Sequence, residues 1–419
     1  MKKLSAILLI VFLTGCNSYD PYVRLEQRIL VQLFGVDYDP EKSEYTVSLQ
    51  YSMGKTSDAS KSENDLATVT GRGGNLYSAV KQARTGVGKE FFFTQNQVLI
   101  LGESVIQNDP VKAIEDYLTY CDDYSNAYVA GVHGTAEEVI SMTFKDEYSD
   151  KNKVKIVLEN ANNNGIFPVF MIYETLMNSY STSGSCFIPM LNIADGIGAE
   201  SESEKKEKQS SQDEESDTEE NSSNESGDES GGGESGDESG NSTAQEKNVV
   251  PGGGVIVMDG EVVMTADETA CKGLSLLANT SDISSVDFLY EGVDTTIELF
   301  KKRTKIIPSF DSDSQKLTVK VDFFAVADKA YNRLLEKTDD YESQEKSGTE
   351  EVIKNLVKDE VVLRMESIAK PSAESGCDVI NLEDSFKHYN SKSWLKVEDK
   401  WSEVIKNAEF VYSIKIKIQ

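Results

Sequence analysis

Catalysis requires side chains that converge, so the residues able to carry chemistry come first. The chain has 419 residues and two histidines, His133 and His388, neither in an HExxH pattern, which leaves metallopeptidase chemistry without ligands. Five cysteines, Cys16, Cys121, Cys186, Cys271 and Cys377, are scattered singly, and no pair has the CxxC spacing of a zinc or redox site. The glycines at 71, 73 and 74 miss the GxGxxG register, and Gly88-Lys89 is followed by Glu90, so phosphate-cradling loops fail as well. Asp311 and Asp313 begin like a calcium loop, but Lys316 stands where the turn glycine belongs and no glutamate closes it. No serine sits in GxSxG. Carboxylates are so abundant that no single pair points to an acid and base couple. No catalytic, cofactor-binding or metal-binding residue is expected, and the chain reads as a non-enzyme.

One cysteine does have a chemical context. Cys16 follows Leu13-Thr14-Gly15, behind Lys2, Lys3 and an apolar run over 4–13. A charged start, a short hydrophobic middle and a small-residue site make a secretory signal over 1–15, and the run is about half the roughly 20 residues a membrane-spanning helix needs. The motif is similar to a bacterial lipobox, in which the cysteine receives a diacylglyceryl thioether and becomes the first mature residue. Cys16 is therefore the expected lipidation site. Two acyl chains, at about 0.8 kcal/mol per buried methylene, would hold the mature chain on a membrane. For the other four cysteines three disulfide connectivities exist, with buried free thiols the favoured expectation.

Charge narrows the partners. There are 72 acidic and 42 basic residues, a net of -30, so nucleic acid, which needs clustered Lys and Arg, is excluded as a partner. Anionic headgroups would be repelled by the chain as a whole, so membrane contact is expected from the acyl anchor or a protein partner. Much of the excess is local, because residues 200–247 hold 17 acidic and 4 basic side chains with almost nothing apolar. That composition cannot build a core and reads as a disordered, solvated linker over 198–248.

The elements that would position any site follow from periodicity. Residues 28–36 and the alternating Tyr45, Val47, Leu49 and Tyr51 suggest a hairpin. Helices are expected after Asn75, after Asp109-Pro110, after Thr135 with Glu138 as a capping box, and near 155 and 170; strands are expected at 91–93, 98–101 and 127–133. Beyond the linker, Asp259-Gly260 between two apolar stretches predicts a type I′ hairpin, followed by a helix over 265–277. A strand over 295–307 ended by Pro308, an alternating strand over 317–327 and a central helix over 350–368 come next. Trp394, Val397, Trp401 and Ile405 are expected along one side of a further helix, with both tryptophans in the core, and 410–418 forms a closing strand. The fold class is α+β and multidomain, with antiparallel or mixed sheets packed with helices: an N-terminal domain over 16–197, the linker, and a C-terminal region over 249–419, divided into a hairpin–helix subdomain at about 249–295 and a domain at about 296–419.

Lined up in this order, the chain resembles the Ger(x)C family, the lipoprotein C subunits of spore germinant receptors. Ile29 to Asp37, reading ILVQLFGVD, is similar to the family's early strand ending in Gly-hydrophobic-Asp. Asn75 to Ala79 and QVLILGE at 97–103 resemble its first helix and the strand after it. GVIVMDGEVV with Glu268 and Gly273, the basic stretch 301–308, Asp378-Val379, Trp394, Trp401 and the closing strand complete the likeness. It departs at Asn17-Ser18-Tyr19-Asp20, where the family usually has Trp-Asp, and at Ile380-Asn381, where a glycine is common. The resemblance implies a spore inner-membrane lipoprotein on the outer face, acting beside two integral membrane subunits of A and B type in nutrient sensing, with an undefined small-molecule ligand and no catalytic residues. A lipid-anchored solute-binding protein of a transporter is the alternative; it would need two similar lobes around a cleft.

Overall fold

The computed structural model describes residues 28–52, 66–121, 126–142, 152–195, 247–328 and 343–419. The signal segment 1–15, Cys16 and residues 198–246 of the expected linker lie outside these. Strand β1 (Arg28–Asp39) pairs antiparallel with β2 (Glu44–Ser52), setting Val36 opposite Val47 and Tyr38 opposite Tyr45. This is the expected hairpin. β2 then pairs with β3 (Leu66–Gly73), an edge strand whose outward polar residues left no hydrophobic alternation to find. Helix α1 (Leu76–Val87) begins at Asn75, whose side chain accepts from the Ser78 N–H at 2.8 Å, and buries Leu76, Ala79, Val80 and Ala83.

The short β4 (Glu90–Phe92) lies parallel to the start of β1. β5 (Val98–Leu101) and β6 (Tyr128–Val132) also run parallel to β1. Parallel neighbours require crossovers, and helices supply them: α2 (Glu103–Asn108) and α3 (Pro110–Cys121) after β5, then α4 (Ala136–Ser141), α5 (Lys153–Asn163) and α6 (Ile172–Ser179) after β6. At the head of α4, Thr135 Oγ1 accepts from Glu138 N–H at 3.2 Å, but the Glu138 carboxylate turns to Lys247 at 2.6 Å, so only half of the expected capping box forms.

The chain on the far side of the acidic segment returns to the same sheet. β7 (Ser185–Asp195) pairs antiparallel with β8 (Lys247–Met258), from Ser185 opposite Met258 to Asp195 opposite Lys247, and β8 pairs with β9 (Glu261–Ala266). Asp259 and Gly260 both have positive φ, 52° and 85°, as the type I′ turn demands. The hairpin grouped by sequence with the C-terminal region thus completes a nine-stranded sheet ordered β3-β2-β1-β5-β6-β7-β8-β9, with β4 beside β1. One face is covered by α1, α3 and α6. The other carries α4, α5 and α7 (Glu268–Ala278) and continues without a break into the second domain.

That domain is a four-stranded sheet in which β10 (Ser284–Tyr290), β11 (Val293–Asp311) and β12 (Lys316–Ala327) form a meander and β13 (Glu409–Ile418) lies parallel to β12. Pro308 does not end β11 as expected, because β10 pairs only as far as Leu299 and a missing N–H is harmless where the strand has one neighbour. The crossover to β13 runs through α8 (Ser343–Glu374), α9 (Leu382–Trp394), a 3-10 turn (Glu398–Lys400) and α10 (Trp401–Ile405). Trp394 and Trp401 therefore sit on separate helices rather than one. Both are buried, with ring centroids 5.1 Å apart, and both flank Phe386.

Helix α7 is the common support, packed against α8 at so close a distance that a Cβ on Gly273 would lie 1.8 Å from the Arg364 carbonyl oxygen. Gly273→Ala in an open helix would add about 1 kcal/mol of stability. Here it is expected to destabilise the protein by about 3 kcal/mol, measured by urea unfolding, since the helices must part to admit a methyl group.

Candidate functional site

Charges withdrawn from water are the places where chemistry would be found, and three clusters stand out. The first is Asp37, at the end of β1. Its carboxylate accepts from the backbone N–H of Ala136 at 2.8 Å and of Glu137 at 2.9 Å, at the start of α4. Burial raises its pKa, while the two N–H donors pull it back. Gly102 lies directly against this carboxylate, which gives a physical reason for the Gly-Val-Asp and LGE stretches to occur together.

The second cluster joins the two domains. Asp378, wholly buried between α8 and α9, accepts from Leu382 N–H at 2.7 Å, Glu383 N–H at 2.8 Å and the Trp401 indole N–H at 3.2 Å. Its own N–H donates to Ser185 Oγ of β7 at 2.9 Å. Glu383 accepts from both the N–H and the hydroxyl of Thr182, at 2.9 and 2.7 Å, and from Lys387 at 2.6 Å. The turn leading into β7 is thereby tied to the first turn of α9. Desolvation lifts the Asp378 pKa to about 6, against three donors that lower it, so the carboxylate is ionised at neutral pH.

The third is Lys302 on β11, whose ammonium donates to Ser281 Oγ and Ser284 Oγ, each at 2.5 Å. Burial lowers its pKa to about 8. A lysine beside two serines is a nucleophile-and-base arrangement in principle. All three side chains are buried, and the surrounding loop packs on the first domain through Ile283 N–H to Asn163 O and Asn162 Nδ2 to Thr280 O. The lysine thus donates into a second, buried interdomain contact rather than lining an open cleft.

The remaining residues considered from sequence stay apart. His133 is on the surface, with Nε2 3.3 Å from the Gly252 carbonyl oxygen, and His388 stacks edge-on with Tyr389. Among the described residues no group of three His, Cys, Asp or Glu side chains could hold a metal ion. Cys121, Cys186, Cys271 and Cys377 are buried, and burial pushes the thiols of Cys186 and Cys271 up to about 12 and that of Cys377 to about 11, which leaves these three inert as nucleophiles. The stretch 97–103 offers a partner no free strand edge, because β5 lies between β1 and β6 and its four residues are fully buried. Asp378, Glu383 and Lys302 were not singled out as functional. The only signal was Asp378 in the Asp-Val pair, and nothing local tells a buried charge from the many exposed ones.

These features define a two-domain α+β protein whose buried charges join elements rather than act on a substrate. Residues 21–193 match the family described as "Spore germination protein N-terminal domain", and residues 252–419 match "Spore germination B3/ GerAC like, C-terminal". The chain belongs to this family, the Ger(x)C family of germinant receptor C subunits, and is one part of a multi-subunit receptor rather than a member of an enzyme family. A solved structure described as "Crystal Structure of the GerBC protein" is similar at 13% identity, over 92% of this chain and 96% of that one, with a TM-score of 0.48. Among curated protein sequences none matches it.

The Asp378 cluster makes a pH prediction. Its carboxyl binds a proton more tightly in the folded chain than in the unfolded one, so this contribution to stability is fully present below pH 3.8 and is lost as pH rises through about 6. Relative to Asp378→Asn, which cannot titrate, the parent protein should lose up to about 3 kcal/mol of unfolding free energy across that window. Urea titrations of both proteins at each pH measure the difference.

Proposed function

We propose that the protein is the membrane-anchored lipoprotein subunit of a spore nutrient germinant receptor. It is held on the outer face of the spore inner membrane by a lipid on Cys16, and it is required for the assembly and function of the receptor with two integral membrane subunits of A and B type. The observation that carries this reading is the pair of family matches across both domains. Two features support it: the Leu13-Thr14-Gly15-Cys16 motif, and the fact that no helix among the described residues is long and apolar enough to cross a membrane. Without a catalytic group the subunit acts by contact, biasing the receptor through different interactions with its resting and triggered states. A transporter's solute-binding protein fits less well, since a nine-stranded mixed sheet and a four-stranded sheet are not two similar lobes.

Cys16→Ala is expected to move the mature chain from the membrane to the soluble fraction and to abolish nutrient-triggered germination, while germination by agents that bypass receptors survives. A variant still membrane-bound in cells lacking the partner subunits would refute the anchor. The acidic segment is proposed to be dispensable for folding, because the strands it connects already meet at Asp195 and Lys247. Deleting residues 202–242 should change the unfolding free energy by less than about 1 kcal/mol in a denaturant titration.

A further inference from the structure

We propose that the groove between α1, β4 and α3 is a membrane-docking surface that takes the headgroups of anionic phospholipids. The groove encloses about 1170 Å³ and is bordered by Lys81, Arg84 and Lys89, with Glu90 the single acidic residue in its lining among the described residues. Arg84 and Glu90 pair with each other, so the exposed Lys81 and Lys89 leave the site cationic on a chain whose net charge is -30. Repulsion inferred from that total does not apply locally, because a surface charge is screened beyond about 8–10 Å and residues 200–247 hold -13 of the net -30.

The walls suit a bilayer interface. Tyr77 and Tyr120 face each other across the helix layer with ring centroids 5.5 Å apart, and they are 53% and 40% exposed. The Arg28 guanidinium lies 5.3 Å from the centre of the Phe92 ring. Aromatic rings with a polar tip settle at headgroup depth, and each Lys or Arg near an anionic surface adds to the attraction. In the same layer, Met177 on α6 and Tyr180 just after it are 70% and 65% exposed.

Position completes the argument, and here it rests on the lipid anchor proposed above. Among the described residues β4 has only β1 as a strand neighbour, with Arg28 opposite Glu90. Arg28 is twelve residues after Cys16, so an extended chain puts the anchor within roughly 40 Å of this rim. A protein tethered at that point can bring this edge to the membrane.

The test uses the mature full chain carrying Cys16→Ala, so that binding owes nothing to the lipid. It should partition onto phosphatidylcholine vesicles containing phosphatidylglycerol at least about tenfold better than onto phosphatidylcholine alone, and the preference should fall with added salt. Lys81→Gln combined with Lys89→Gln, both exposed and harmless to folding as checked by circular dichroism, should remove about tenfold of that binding. Equal partition onto both vesicles, or no effect of the double substitution, overturns the proposal. So does salt-sensitive binding that requires purified receptor subunits in neutral vesicles, which would make the groove a protein interface. Failure of the anchor itself is read separately, from fractionation of the chain with Cys16 intact.

Discussion

The pairing of β7 with β8 is the constraint on which the rest of the structure depends. Residues 196–246 stand between them in the chain, yet their backbones pair from Ser185 to Asp195 against Met258 to Lys247. That pairing places the post-linker hairpin at the end of the first sheet and delivers α7 onto its face. Without it, α7 would have no sheet to cover, and the second domain would lose the helix against which α8 packs. Ends that meet also explain how so long an insertion is tolerated, since loop-closure entropy grows only slowly with length.

The second domain is attached by more than apolar contact. Asp378 and Glu383 bind the turn at Thr182 and Ser185, and Lys302 holds the loop that packs on the end of α5. A buried charge left without partners is costly, so each of these groups gives the interface one geometry rather than a sliding hydrophobic contact. The same groups in an open cleft would invite a catalytic interpretation; here they are enclosed, and their hydrogen bonds go to the protein.

Net charge is a poor guide to where such a protein can bind. Residues 200–247 hold -13 of the total of -30, while α1 and β4 present lysines and aromatic rings on an edge close to the chain start. Averaging over the whole chain hides this, because screening makes electrostatics a property of neighbourhoods about 10 Å across.

Much was legible from the residues alone. Alternation in 317–327, the Asp259-Gly260 turn, the Asn75 and Asp109-Pro110 helix starts and the burial of both tryptophans depend on local backbone preferences and apolar periodicity, which no distant contact overrode. The α+β class and the motifs that place the chain in its family were present in the same way. What the sequence could not carry was membership: that β8 and β9 belong to the first sheet, that β5 is its interior, that Pro308 can sit within a strand with one neighbour, and that Gly273 is the point where two helices touch. Each of these is decided by a partner far away along the chain. For the same reason Asp37, Asp378 and Lys302 could not be told from their many exposed counterparts, since burial and hydrogen-bond partners exist only once the chain has folded.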